Sequence, residues 1–449
     1  MRKGNEYWVL LIAMSLGMLG LLMVFSSSLV MTASSASFGS NPYFFVKRQG
    51  IWFCIGLVGL VIARSIDLQK WRSAFSLPFL GFNMALLVLV LLVGPEINGA
   101  QRWLVLGGFQ FQPAELTKLA MVFYMADFLA RRGDKIKSFA RLLPALVLFG
   151  LCLILIEREP DLGTALVVAG VFMTMIFASG AQISHLLGMS AAGAMVVFIS
   201  VLAKPYRLKR ITSFLNPEAD PQGAGYHSIQ SLLAIGSGGL TGRGFGVGHQ
   251  KYKYLPEAHT DYIFSILAEE LGLMGTACVI FLFVALLYKG CQIALNSRDP
   301  YLRMLALGIT FQVCLQAFLN IGVVTASTPS TGLPLPFISY GGTSLLFSLV
   351  GIGLLMNVAQ VNTAVRESCR KPKKKKRKLR KGATLTTSQE ESLEAVSTGT
   401  WEDKVAGKRR VKNDTQMPRP AVEPGLLRRP DWSSRRRDKK RGNKGKRSL

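Results

Sequence analysis

Residues 10–25, LLIAMSLGMLGLLMVF, contain no charged side chain and are apolar on every helical face. A surface helix keeps one polar face, so such a block must be enclosed by protein or lipid. About 20 residues of this kind cross the ~30 Å hydrocarbon core of a bilayer, and similar blocks recur along the chain. They predict spans at about 8–32, 49–64, 75–94, 115–130, 139–157, 161–179, 182–203, 262–289, 302–325 and 341–363. A soluble chain of 449 residues would instead divide into two or three domains. The expected architecture is an all-α polytopic membrane protein. About ten transmembrane helices occupy residues 1–365, with one large extracytoplasmic loop over about 204–261. Residues 366–449 are expected to form a disordered polybasic cytoplasmic tail.

Charge sets the orientation. The net charge is +27, and from Arg366 onward 28 Lys and Arg stand against 10 Asp and Glu, leaving +18 there and +9 elsewhere. Ten spans put both termini on one side, and the basic tail with Arg2 and Lys3 places that side in the cytoplasm. The first block follows these two residues without an A-x-A site, so it reads as a retained helix. The tail (KPKKKKRKLRK, then RRRDKKRGNKGKR) has few aromatic residues and no hydrophobic period, which predicts disorder. Near an anionic lipid surface each basic residue contributes about 1 kcal/mol, so anionic lipid is the expected tail partner and nucleic acid is not. Most short loops obey the rule, with Arg64, Lys70, Arg72, Arg131, Arg132, Arg298 and Arg303 inside. The connection 204–261 breaks it, carrying Lys204, Arg207, Lys209, Arg210, Arg243, Lys251 and Lys253. Either the span count is off by one or these charges bind something anionic outside. Because every other loop fits, the second reading is preferred.

The ionisable residues inside apolar sequence narrow the chemistry. Asp261 directly precedes the eighth span, where an acid is either a helix N-cap or a functional group at a membrane face. Glu269 and Glu270 follow, roughly 12–14 Å deeper at 1.5 Å per residue. Acids at that depth must face the bundle interior, and the expected partners are Lys118 and Glu115, i,i+3 neighbours on another helix. Gln312, Gln316 and Asn320 share one helix face, as glue between helices or as a cavity wall. The glycines of 236–248 match no phosphate-binding loop; they permit close backbone approach in a cap or merely a flexible loop. The four histidines lack ligand spacing, and the six cysteines lack paired spacing. The uncharged, proline-bearing stretch 327–344 is expected to lie rigidly at the membrane interface.

Four of these stretches together resemble a known family. NGAQRWLVLGGFQFQPAELTKL (98–119), EPDLGTA (159–165), the glycine-rich run ending KYLPEAHTDYIFSILAEELG, and LPLPFISYGGTS are similar to motifs of the SEDS proteins (shape, elongation, division and sporulation). The likeness runs in order over residues 8–363 and is closer to the division branch than to the elongation branch. Phe245, His249 and Glu159 depart from the pattern, which has Leu, Ser and commonly Gln there. The resemblance implies a ten-helix bundle in the bacterial inner (plasma) membrane, at the division septum. It implies a peptidoglycan glycosyltransferase acting on lipid II, a class B penicillin-binding protein (transpeptidase) as membrane partner, and other division proteins beyond it. It also implies a divalent cation (Mg2+ or Mn2+) and no organic cofactor.

Under that resemblance Asp261 of the H-T-D motif is the catalytic acid, acting as general base on the acceptor GlcNAc 4-hydroxyl and a possible metal ligand. Substrate-binding candidates are Arg102, Lys204, Arg207, Lys209, Arg210 and His259. Glu115, Lys118, Asp161, Glu269, Glu270, Gln312, Gln316 and Asn320 are expected as structural or cavity-lining polar groups. A lipid II transporter, a non-catalytic division scaffold and an elongation role are the alternatives.

Overall fold

The fold was read from a computed structural model, which describes residues 4–33, 41–97, 99–107, 109–223, 225–252 and 254–382. Three helices open the chain, α1 (Asn5–Ala33), α2 (Phe44–Ser65) and α3 (Leu68–Val93). A hairpin of β1 (Leu104–Leu106) and β2 (Phe109–Phe111) follows, with Leu104 opposite Phe111. Then come α4 (Pro113–Arg132), α5 (Phe139–Arg158), α6 (Leu162–Ala178), α7 (Ile183–Leu202), α8 (Pro205–Leu215), α9 (Tyr226–Gly238), α10 (Ile263–Asn296), α11 (Pro300–Val324) and α12 (Gly342–Gly382).

Among the described residues eight helices are long and apolar enough to cross a membrane: α1, α2, α3, α5, α7, α10, α11 and α12. The helix α6 has 17 residues, and α4 buries Glu115, Lys118 and Asp127 among its apolar side chains. Both lie in the core of the bundle, where α11 packs against α4, α6 and α10. Local chemistry sets the helix starts. Asp67 accepts from the N–H groups of Gln69 and Lys70 at the start of α3, Asp299 accepts from Tyr301 N–H at that of α11, and Pro113 and Pro300 occupy first turns.

One set of ion pairs gathers at one end of the bundle. Arg64 pairs with Glu6 at 3.6 Å, Arg72 with Asp127 at 2.8 Å and with Asp299 at 3.9 Å, and Arg131 also reaches Asp127. These residues come from the starts of α1, α3 and α11 and the ends of α2 and α4, so five helix termini meet there.

The helix α10 is broken. Gly272 takes φ 66° and ψ −164°, outside helical space. The glycine-rich run after α9 fills the gap. Arg243 and Gly244 N–H donate to the Glu269 and Glu270 carbonyls at 3.0 and 3.1 Å, while Leu273 and Met274 N–H donate to Gly239 and Leu240 at 2.9 and 3.1 Å. Backbone groups freed by a break near a membrane must find such partners. Gly242 and Gly272 lie back to back, and a Cβ on either would strike the other's backbone.

This break corrects the depth expected for Glu269 and Glu270. Residues 273–296 alone rise about 36 Å, enough to cross, so the two acids stand at the head of the span. Their partners are also not Lys118 and Glu115. Glu269 accepts from the N–H groups of His249 (2.7 Å) and Gln250 (3.2 Å). Glu270 accepts from Ser26 Oγ at 2.6 Å and Lys251 Nζ at 3.0 Å. Lys118 instead donates to Glu115 at 2.7 Å and to Gln316 at 2.6 Å. A folded loop supplied donors that no helix spacing could reveal.

Two further expectations change. The stretch 327–344 is not superficial throughout: Ser327 and Gly332 are exposed, but Leu333, Leu335, Phe337 and Ile338 are buried in the protein. Gln316 and Asn320 donate to the Pro334 and Leu333 carbonyls at 2.8 and 2.7 Å, and Gln49 to that of Ser339 at 3.1 Å. With no charge to solvate, the segment enters the bundle once side-chain amides satisfy its backbone. The tail does not lose structure at 366, since α12 continues to Gly382 through helix-favouring Lys, Arg and Leu. The chain divides into two units, Met1–Pro372 and Lys373–Leu449; the disorder expected over 383–449 lies outside the described residues.

Candidate active site

Asp261 ends a tight turn. Thr260 and Tyr262 N–H both donate to the Glu257 carbonyl, at 3.1 and 3.3 Å. Glu257 sits at φ 51°, and its carboxylate accepts from the Thr260 hydroxyl at 2.8 Å. The helix α10 starts at Ile263 with Tyr262 at the N-cap position and no side-chain cap bond. The capping alternative for Asp261 therefore falls away, and among the described residues its carboxylate takes no hydrogen bond.

That carboxylate is partly exposed to a cavity of about 460 Å³. The helix α8 contributes Tyr206, Lys209, Arg210 and Phe214, α9 contributes His227 and Ser228, and Glu257, Tyr262, Ser330 and Gly332 complete the wall around Asp261. Gly332, at φ 72°, keeps the space beside Asp261 open: a Cβ there would stand 3.6 Å from Oδ2. Burial raises the Asp261 carboxyl to about 7, and the negative charge of Glu257 pushes the same way; Arg210 and Arg102 oppose it.

The basic candidates separate into two groups. Lys209 and Arg210 line the cavity, Lys209 3.4 Å from Asp220 and Arg210 donating at 3.4 Å to the Ser330 carbonyl. Lys204 and Arg207 instead meet Glu157 on α5, and Arg207 is buried there beside Ser200. Arg102 donates to the carbonyls of Glu159 (2.8 Å) and Pro160, clipping the hairpin to the end of α5. These three hold structure rather than face the cavity, because each finds a nearer partner in the fold. His259 is displaced too: its ring packs 4.7 Å from that of Phe45 and 5.8 Å from that of Tyr340, and it does not line the cavity.

The polar candidates are mostly scaffold. Asp161 caps α6 through Thr164 N–H (3.1 Å) and accepts from Gln112 at 3.0 Å. Gln312 is buried with its Oε1 unpartnered, whereas Asn320 donates at 2.8 Å to the Asp261 carbonyl. Glu159 is buried with both carboxyl oxygens unpartnered, and burial with nearby Asp161 raises it to about 9. It therefore carries a proton at neutral pH and presents a neutral head, as a glutamine would.

Two cavity residues escape sequence reasoning. His227 stacks on Tyr262 with ring centres 5.7 Å apart, and burial holds its imidazole below the usual range. Nothing in its sequence neighbourhood marks it. Glu257 was legible as an acid four residues before Asp261 in L-P-E-A-H-T-D. For a metal, no group of three or more His, Cys, Asp or Glu gathers among the described residues. Asp261 and Glu257 supply two carboxylates on one cavity, the number Mg2+ uses when substrate phosphates complete its shell.

The fold and this site together define a polytopic helical membrane protein with an acid and two basic residues lining one cavity. The chain belongs to the cell cycle protein family of FtsW, RodA and SpoVE, whose model matches residues 7–364. It is 41% identical over 359 residues to a probable peptidoglycan glycosyltransferase FtsW of Geobacter sp. (strain M18), covering 80% of this chain and 97% of that one. It is 42% identical to the stage V sporulation protein E of Bacillus subtilis, covering 80% and 98%. Among solved structures it resembles a chain of a peptidoglycan synthase complex (TM-score 0.65, 31% identity, 79% and 97% covered). It also resembles the rod shape determining protein RodA of Thermus thermophilus (TM-score 0.58, 30% identity, 78% and 95% covered).

Proposed function

We propose that this protein is a peptidoglycan glycosyltransferase that polymerises lipid II during division, with Asp261 as general base. The carrying observation is the Asp261 carboxylate, which takes no hydrogen bond among the described residues and faces a cavity that Lys209 and Arg210 also line. Relatives named FtsW at about 41% identity support the reaction class and the division role. In the reaction the 4-hydroxyl oxygen of one sugar bonds to the anomeric carbon of another. The hydroxyl proton passes to Asp261, and the bond to the lipid diphosphate breaks, its electrons leaving with the diphosphate. A base works best with a pKa near the working pH, and the Asp261 carboxyl sits at about 7. The diphosphate is already a good leaving group, so the cavity need supply cations rather than an acid. Lys209 and Arg210 fill that role. A divalent ion held by Asp261 and Glu257 with the substrate's phosphates would further neutralise the departing charge.

In this reading α4 and α6 complete ten spans, both termini are cytoplasmic, and the cavity opens outside the inner membrane at the septum. A class B penicillin-binding protein is the membrane partner, in keeping with the synthase complex that the chain resembles. The deciding assay uses purified protein, that partner and fluorescent lipid II. Wild type is expected to make glycan strands and Asp261→Asn none. Full polymerisation by Asp261→Asn would refute the base, and lipid flipping without polymer would point to a transporter.

A further inference from the structure

Three consecutive carbonyls of the acid-bearing turn are each held by a separate donor from elsewhere in the fold. Tyr340 N–H donates to the His259 carbonyl at 2.9 Å, the Ser339 hydroxyl to that of Thr260 at 2.6 Å, and the Asn320 amide to that of Asp261 at 2.8 Å. The donors are themselves fixed. Asn320 Nδ2 also donates to the Leu333 carbonyl at 2.7 Å, and Ser339 Oγ accepts from Leu335 N–H at 2.8 Å. Both Asn320 and Ser339 are buried.

A helix or strand would satisfy such carbonyls by its own repeat, but a turn has none to offer. Left to water from the adjoining cavity, the turn would sample several conformers. The Asp261 side chain cannot correct this, because its carboxylate takes no hydrogen bond among the described residues. Its direction therefore follows from the backbone that carries it. We infer that Asn320 and Ser339 are positioning residues for Asp261, holding its turn from inside the bundle so that the carboxylate stands free in the cavity. The segment bearing Ser339 also bears Gly332, which leaves room beside Oδ2. One stretch thus both grips the acid's backbone and clears its side chain.

This rests on Asp261 being the base, and the experiment separates the two ideas. Ser339→Ala, Ser339→Thr and Asn320→Ala are assayed for lipid II polymerisation with the transpeptidase partner, beside Asp261→Asn. The Ala variants should lose about ten- to a hundredfold in kcat, the scale of a displacement near 1 Å, with KM for lipid II within about twofold. The acid limb of their pH–kcat profile should move downward, toward an ordinary carboxylate, as Asp261 gains water. Ser339→Thr keeps the hydroxyl and should restore both readouts; any other combination overturns the inference. Hydrogen exchange on the wild type needs no variant: the Thr260 and Tyr262 amides, which donate to the Glu257 carbonyl, should be protected at least tenfold beyond those of Tyr254 and Glu257. Equal exchange would overturn the clamp. Survival of polymerisation in Asp261→Asn would remove the base reading alone, since the exchange result stands without it.

Discussion

Asp261 illustrates how little a residue's type says about its work. An acid before an apolar helix is by habit a cap, yet α10 begins two residues later and leaves the carboxylate to the cavity. Its raised pKa has two consequences of definite sign. As a base it acts unprotonated, so the initial polymerisation rate should climb about tenfold per pH unit below about 7 and level off above. A rate flat from pH 5.5 to 8.5 would contradict this. For stability, the folded state holds this proton more tightly than the unfolded chain, whose Asp titrates near 3.8. Wild type therefore loses stability as pH rises from about 4 to 7. Asp261→Asn removes that loss, so its melting temperature should exceed wild type's by a gap that widens to pH 7 and then holds. Thermal melts of the solubilised protein at pH 5 and 8 measure it; on this scale a pKa unit is about 1.4 kcal/mol.

At the scale of elements, the broken α10 is the feature with most leverage. Its two halves are joined through the backbone of the run 239–244, and Lys251 ties the first half, at Glu270, to the loop at the Gly246 carbonyl. Removing one partner of a buried pair leaves an unpaired charge, at a cost of about 3–5 kcal/mol. Lys251→Met should destabilise by that order, and Lys251→Met with Glu270→Leu should recover much of it, as read by a double-mutant cycle of thermal melts. Additive losses would mean that the pair is not coupled. Gly242→Ala meets both a positive φ of 81° and the Glu270 carbonyl. It should unseat the loop and reduce polymerisation at least tenfold, whereas Ala at Gly236, where nothing lies within 4 Å, should be close to silent.

For the whole molecule, the set of ion pairs at one end predicts the topology. The end that gathers Arg64, Arg72, Arg131 and Arg303 should face the cytoplasm, and the cavity end should face outward. Single cysteines at Phe245 and at Arg298, in a cysteine-free background, should label with an impermeant maleimide in intact spheroplasts at the first site only. Labelling at Arg298 would invert the assignment. Truncation after Gly382 should leave polymerisation in vitro intact, since the family match ends at residue 364.

The sequence by itself determined the class of fold: apolar blocks of about 20 residues admit few arrangements besides membrane helices, and each predicted span coincides with a helix. It also marked Asp261, because an acid at the head of such a helix stands out against apolar surroundings. The hairpin was not expected from the sequence, although LVL-GG-FQF carries a glycine pair between short apolar runs. The helix α9 was not expected either, within what the sequence presented as one large loop over 204–261. Only the tertiary structure decided which basic residues face the cavity. Lys204, Arg207, Lys209 and Arg210 are near neighbours in the chain, yet Glu157 claims two of them and the cavity keeps two. It alone decided that Glu270 meets Ser26 and Lys251 rather than Lys118. Hydrophobic pattern is periodic and local, so a sequence displays it directly. Hydrogen bonds and ion pairs join residues far apart in the chain, and their geometry exists only once the bundle has closed.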